Sequence, residues 1–194
     1  KENEAISNTS VSKMTEAQMF SLQVHNPSIF GKTIHEIKEL IDKEFVISRV
    51  LHHDSETLAI PLPHTVLNEN DKILVVTNLQ NIELIEALIG QKIDMDRSEW
   101  NKLDSQLISR RINVTKSAIN GKSVGQLRLR NLYGVNITRI NRAGVDLVAD
   151  PRLQLQLGDR VTVVGSEASI ANVEKFLGNS LKRLREPNLI SIFI

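Results

Sequence analysis

Apolar residues fall into short groups separated by polar stretches, and the same succession of groups occurs twice along the chain. Phe20-Ser21-Leu22-Gln23-Val24 and Ile108-Ser109-Arg110-Arg111-Ile112-Asn113-Val114 alternate with the period of a strand that buries one face. Ile34, Ile37, Leu40 and Ile41 then recur at helical spacing, matched in a shorter second helix by Val124 and Leu127. Phe45 to Leu51 and Val135 to Ile140 are β-branched and alternating; each leads through a turn to a second extended run ending near Ala59 or Ala149, which predicts a hairpin. Ile73 to Thr77 and Val161 to Gly165 predict an apolar strand. A helix follows, carrying Ile82, Ile85, Leu88 and Ile89 or Ile170, Val173, Phe176 and Leu177, with Gly90 or Gly178 as its C-cap. The predicted order in each half is β-α-β-β-β-α, an α+β fold of two small tandem domains whose sheets are covered by helices.

The repeat extends to individual residues. Gly31-Lys32-Thr33-Ile34 recurs as Gly121-Lys122-Ser123-Val124, and Ile47-Ser48-Arg49-Val50 as Ile137-Thr138-Arg139-Ile140, at one offset. Pro63 then matches Pro151, and Asn70-Asp71-Lys72-Ile73 matches Gly158-Asp159-Arg160-Val161, at an offset shorter by two residues. The extra residues fall around His52 to Glu56, a hairpin tip, where insertion costs least. The expected organisation is a lead-in over 1–19, a first domain over 20–90, a linker or short joining helix over 91–105 with a lone Trp100, a second domain over 106–178, and a tail over 179–194. Equivalent faces of the two copies are expected to pack together as a pseudo-dimer, within one chain or in a homodimer.

Composition narrows the function. The 194 residues carry 24 Lys and Arg against 23 Asp and Glu, so a net charge of +1 offers no field for nucleic acid. The absence of cysteine excludes disulfides, thiolate metal sites and cysteine nucleophiles. No apolar run reaches the roughly 20 residues of a membrane span. The chain starts at Lys1 and ends on Leu189-Ile190-Ser191-Ile192-Phe193-Ile194 behind Lys182, Arg183 and Arg185. That end reads either as the cytoplasmic flank of a membrane helix cut short, or as a charged helix end and a final strand.

Candidate chemistry is sparse, and no enzymatic activity is expected. Gly-Lys-Thr and Gly-Lys-Ser invite a phosphate-loop reading, but the earlier glycine is missing, with Asn26 and Lys116 in its place. Thr33 with Glu36 and Ser123 with Gln126 read better as capping boxes. All five histidines lie in the first copy, and the cluster His52-His53-Asp54 reads as a solvated tip rather than a metal site. No nucleophile elbow and no His-Glu-x-x-His occur, so catalytic and metal residues are not assigned and no cofactor is named. Arg49 and Arg139 hold equivalent strand positions, with Arg142 and Arg152 nearby. They are either outward-facing residues paired with acids or a grip on a carboxylate or phosphate at a domain interface.

Gly121 to Leu127, Gly134-Val135-x-Ile137, Arg142-x-Gly144, Pro151 and Leu157-Gly158-Asp159-Arg160-Val161-x-Val163-Val164-Gly165 together resemble the TrkA C-terminal domain, also called the RCK C-terminal domain. Gly31 to Ile37, Pro63 and Asp71 to Val76 repeat that pattern less closely. The tandem pair with Leu177-Gly178-Asn179-Ser180-x-Lys182-x-Leu184 and Glu186-Pro187-Asn188-Leu189-Ile190 is similar to the central hydrophilic region of the aspartate–alanine exchanger family of bacterial secondary transporters. The resemblance implies a cytoplasmic regulatory domain of an inner-membrane transporter, attached to transmembrane helices of the same polypeptide and sensing a small ligand or ion. A soluble regulatory subunit of a potassium uptake system or channel is the alternative. Some relatives bind a cyclic dinucleotide between paired domains. By that resemblance, with Arg49 added from the repeat, the ligand residues would be Arg49, Asn136, Arg139 and Arg142. The nucleotide-binding half found before this module in potassium channels has no counterpart here, since no Gly-x-Gly-x-x-Gly follows a strand.

Overall fold

The computed structural model describes residues 13–56, 58–104 and 106–178. The tail residues Lys182, Arg183, Arg185 and the terminal apolar run, with most of the expected lead-in, lie outside the described residues. The first copy comprises β1 (Ala17–Val24), β2 (Lys32–Thr33), α1 (Ile34–Leu40), β3 (Phe45–Leu51), β4 (Leu58–Ala59), β5 (Val66–Leu67), β6 (Lys72–Asn78) and α2 (Ile82–Ile89). β7 (Gly90–Ile93) and α3 (Arg97–Leu103) lead into the second copy. That copy comprises β8 (Ile108–Asn113), α4 (Val124–Leu127), α5 (Leu129–Tyr133), β9 (Asn136–Arg142), β10 (Val145–Val148), β11 (Arg160–Gly165) and α6 (Glu167–Leu177).

Beside a two-stranded sheet of β2 and β5, the two large sheets share one order of four strands. The first runs β4-β3-β6-β1-β7 and the second β10-β9-β11-β8, with every adjacent pair antiparallel. Alternation assigns one face of each sheet to its own core. Phe20, Leu22, Phe45, Ile47, Ile73 and Val75 pack under α1 and α2 in the first copy. Ile112, Val135, Ile137, Ile140, Val161 and Val163 pack under α4 and α6 in the second. Both capping boxes form: Thr33 closes on Glu36 and Ser123 on Gln126, each side chain accepting from the partner's amide. That use of the hydroxyl settles the Gly-Lys-Thr and Gly-Lys-Ser triplets as helix starts.

Each closing helix returns its last carbonyl to the end of the first strand. His25 and Asn26 donate to Ile89 O, and Thr115 and Lys116 donate to Leu177 O. This approach leaves no room for a side chain at Gly90 or Gly178: a Cβ there would collide with the backbone of Gln23 or Asn113. The glycines stand at the expected C-caps; close packing requires Gly90, and close packing together with a positive φ of 146° requires Gly178.

The pattern read from the sequence lacks the two-stranded sheet of β2 and β5, the edge strand β7 and the helix α5, whereas the short helix α3 is one of the two expected forms of the joining segment. The start of the expected linker, β7, adds an edge strand to the first sheet, antiparallel to β1. The rest forms α3, capped by Asp96 and Glu99, which drives Trp100 into full burial on the sheet's outer face, where its indole N–H donates to Ser21 Oγ at 2.9 Å. Where the first copy has the end of α1 and the loop after it, the second forms α5, separated from α4 by Arg128 in the left-handed region (φ 49°).

The outer faces of the sheets meet. β3 packs on β9, its equivalent in the other copy, and β10 packs on β1 and β6. Ala17, Val46, Val76 and Val148 form a small apolar cluster there, with Met19 against it. Asn136 Nδ2 donates to Ile47 O across the seam at 2.9 Å. β3 is therefore buried on both faces, by its own core and by the second copy, and the expected pseudo-dimer exists within one chain.

Candidate functional site

A cleft of about 450 Å³ opens at one end of the seam between the copies. Ile34, His35, Lys38, Val46 and Pro63 line one wall; Val124, Gly125, Arg128, Asn136 and Pro151 line the other. By the repeat these are equivalent residues taken in the same order, so the cleft straddles the approximate two-fold between the copies. Leu129, Arg130 and Asn131 of α5 and Ile137 of β9 add to the second copy's wall, with Val135 and Ala149.

Its electrostatics are cationic. The helix start that orients α1 places Lys38 over the Phe45 ring, 5.3 Å from the centroid. Burial, and then the Arg130 guanidinium, lower the Lys38 pKa from 10.5 to about 8, with Asp150 acting in the opposite direction. Burial also lowers Arg130. Arg130 donates to Asn136 Oδ1, while the same amide's nitrogen reaches Ile47 O of the first copy. Asn136, 2% exposed, thus connects a cleft cation to the other domain's backbone. Asp150 is held low by its bonds from Arg152, which outweigh the opposing effect of burial.

Of the four expected ligand residues, only Asn136 lies in this cleft. Arg142 lies elsewhere: its Nε and Nη2 donate to both carboxylate oxygens of Asp159 at 2.9 and 2.8 Å, and Nη2 also to Gln154 O. Asp159 in turn accepts from the Gln156 amide, and its equivalent Asp71 from the Asn68 and His53 amides. These buried aspartates tie the turn before the last strand to the hairpin, which explains why Asp recurs at that position. Arg49 and Arg139 face the seam beyond the cleft. Arg152 is exposed and paired with Asp150 at 3.0 Å. His52 Nδ1 contacts Asp71 Oδ2 at 3.1 Å, and no group of three or more metal-ligating side chains exists among the described residues.

Lys38, Arg128 and Arg130 were not singled out by the sequence reading, although the repeat held a signal for two of them: Lys38 and Arg128 are equivalent cations one helical turn after the capping box. A second cleft, about 530 Å³, lies elsewhere along the seam between Asp42, Glu44, Asn78, Asn81, Val148 and Arg152.

Comparison with known proteins agrees with the duplicated fold. The TrkA-C domain matches residues 19–90 and again 110–178. A protein of Bacteroides fragilis named uncharacterized transporter is 48% identical over 178 residues, covering 90% of this chain and 32% of its own length. One of Bacteroides thetaiotaomicron with the same name is 44% identical over all of this chain and 34% of its own length. The chain therefore spans about a third of these relatives. Among solved structures, the GsuK RCK domain is 14% identical with a TM-score of 0.38, covering 86% of this chain and 64% of that one. An RCK_C domain dimer of Streptococcus agalactiae BusR in complex with c-di-AMP is 28% identical with a TM-score of 0.34, covering 36% and 93%. With both copies matched over most of its length, the chain belongs to the TrkA-C domain family and carries that domain twice.

Proposed function

We propose that this chain is the regulatory, ligand-sensing part of a bacterial membrane transporter, and that a small anionic ligand enters the cleft between its two TrkA-C domains. The observation that carries the reading is the cleft itself, walled by equivalent residues of both copies and lined by Lys38, Arg128 and Arg130. A ligand there touches both domains at once, so it favours the arrangement in which β3 and β9 are packed. Differential affinity for one arrangement is what a ligand needs to bias a coupled transport cycle. The relatives' threefold greater length and their transporter names support attachment to membrane-embedded segments that perform transport, on the cytoplasmic side of the inner membrane. An exchanger of anions or amino acids is the transport activity in keeping with the tail motif.

The domain family and the cationic lining favour a cyclic dinucleotide as the ligand. Its phosphates suit Lys38, Arg128 and Arg130, and its bases suit the apolar wall of Ile34, Val124 and Leu129. Calorimetric titration with cyclic di-adenosine monophosphate, cyclic di-guanosine monophosphate and linear dinucleotide controls tests this. Saturable binding that Arg130→Gln weakens by about tenfold or more is expected. Absence of binding, or binding indifferent to Arg130→Gln and Lys38→Met, refutes the assignment.

A further inference from the structure

We propose that the junction of β3, β9 and α3, apart from the cleft, binds a small oxyanion, a carboxylate or a phosphate, on the free Nε edges of Arg49 and Arg139 together with the Thr138 hydroxyl. The buried side-chain polar atoms without a hydrogen-bond partner among the described residues are Arg49 Nε, Arg139 Nε and Thr138 Oγ1, and all three belong to β3 and β9, the equivalent strands that pack on each other at the seam. Native proteins leave few such atoms, because an unmet buried donor costs free energy. Three on two equivalent strands that pack on each other point to a missing acceptor.

Both copies build the position with the same irregularity. In β3 the register against β6 passes from Ile47↔Val75 to Arg49↔Leu74, so Ser48 is the extra residue. In β9 the register against β11 passes from Ile137↔Val163 to Arg139↔Thr162, so Thr138 is the extra residue. Strict alternation would send Arg49 into the core beside Ile47, and Arg139 beside Ile137. The bulge instead keeps Ile47 and Val50, or Ile137 and Ile140, in their cores and turns each arginine to the seam.

Neither guanidinium has a carboxylate within hydrogen-bond length among the described residues. Arg49, 2% exposed, donates from Nη1 to Asn101 Oδ1 at 2.8 Å, a neutral acceptor, and its Nε is buried without a partner. Arg139 has an ion pair with Asp146 from Nη1 at 3.7 Å, beyond hydrogen-bond length. Arg97 lies one turn before Asn101 on α3, and Arg111 sits across Thr162 from Arg139. Desolvation lowers the pKa of both Arg49 and the partly buried Arg139, and Arg97 lowers both further. Arg97 thus stands near both arginines, with Asp104 the carboxylate near Arg49, and Arg111 and Asp146 the charged groups near Arg139. The exposed Arg97 and Arg111 form the approach, and Arg49 forms the floor. A fork-shaped pair of N–H donors selects an oxyanion over a spherical halide.

The test follows the melting temperature of the chain as inorganic phosphate, acetate or chloride is titrated at ionic strength held constant with sodium fluoride. Phosphate or acetate should raise it saturably, since a ligand bound only by the folded state stabilises that state. A response to phosphate alone assigns the phosphate class, and a response to acetate alone the carboxylate class. The Arg97→Gln/Arg111→Gln variant, altered only at exposed side chains, should need about tenfold more anion for half the effect, and Arg139→Gln should lose the response. No saturable response to either oxyanion, an equal response to chloride, or an unchanged response in the double variant overturns the proposal. Dinucleotide binding through Arg130 is measured separately, so the two sites fail or stand independently.

Discussion

Replacing Lys38 by methionine should stabilise the protein while weakening its ligand site. The ammonium is held in the cleft by the apolar walls of both copies, with Arg130 as a like-charged neighbour, and its pKa falls from 10.5 to about 8. A tenfold change in proton affinity is worth about 1.4 kcal/mol, so keeping Lys38 charged in the folded protein costs roughly 3 kcal/mol at neutral pH. Methionine keeps the length and the apolar stem and removes that cost. It also removes the contact with the Phe45 ring, worth about 0.5–1 kcal/mol, so a net gain of roughly 2 kcal/mol is expected.

The pH dependence identifies the cause. Below pH 8 the lysine is protonated in both folded and unfolded chains, and the penalty is complete. Between about 8 and 10.5 only the unfolded chain holds the proton, so wild-type stability contributed by this group climbs with pH. Urea unfolding of wild type and Lys38→Met at pH 7 and pH 9.5 reads this directly, because other titrating groups cancel in the difference. The variant should lead at pH 7, and the gap should narrow by more than half at pH 9.5. A variant no more stable at pH 7, or a gap independent of pH, refutes the argument.

Two further outcomes test the fold. Gly178→Ala should cost roughly 1–3 kcal/mol in urea unfolding, because φ of 146° and the carbonyl of Asn113 both oppose a Cβ; an alanine tolerated there would mean that the helix does not close against β8 as described. Trp100, the chain's only tryptophan, should emit in the blue-shifted range of a buried indole, and Trp100→Ala should cost about 3–5 kcal/mol by emptying the space between α3 and the first sheet; red-shifted emission would refute the docking of α3.

The duplicated β-α-β-β-β-α order was legible because local signals agreed with burial at every level: alternation for the strands, capping boxes for the helices, glycine at the helix ends. Both capping boxes and both hairpins appear where the residues placed them. What was not legible depends on contacts between distant segments. Gln91 to Ile93 carry no alternation, yet become a strand because β1 offers an open edge. Arg142 matched a ligand pattern in sequence, but its partner Asp159 comes close only when β9 and β11 pair. Arg130 lies on a helix too short to announce itself, and its role in the cleft exists only because the second copy's wall meets the first's.

Duplication within one chain has a consequence that a symmetric homodimer could not have. A homodimeric cleft must present every lining residue twice, whereas here the two walls have diverged. Lys38 faces Arg128 as one cation for another, but Val46 stands where the second copy has Asn136, and the exposed Leu40 stands where it has Arg130. The Arg130–Asn136 pair and its bond to Ile47 O therefore exist on one side only. Two Arg130-like guanidiniums facing each other across a cleft of this size would repel in the empty state and lower each other's pKa, as Arg130 already does to Lys38. Keeping one such guanidinium and replacing its counterpart with leucine reduces that strain while retaining a directional anchor for an anion. The empty seam can then stay packed through Asn136, and a ligand adds to that contact rather than having to create it.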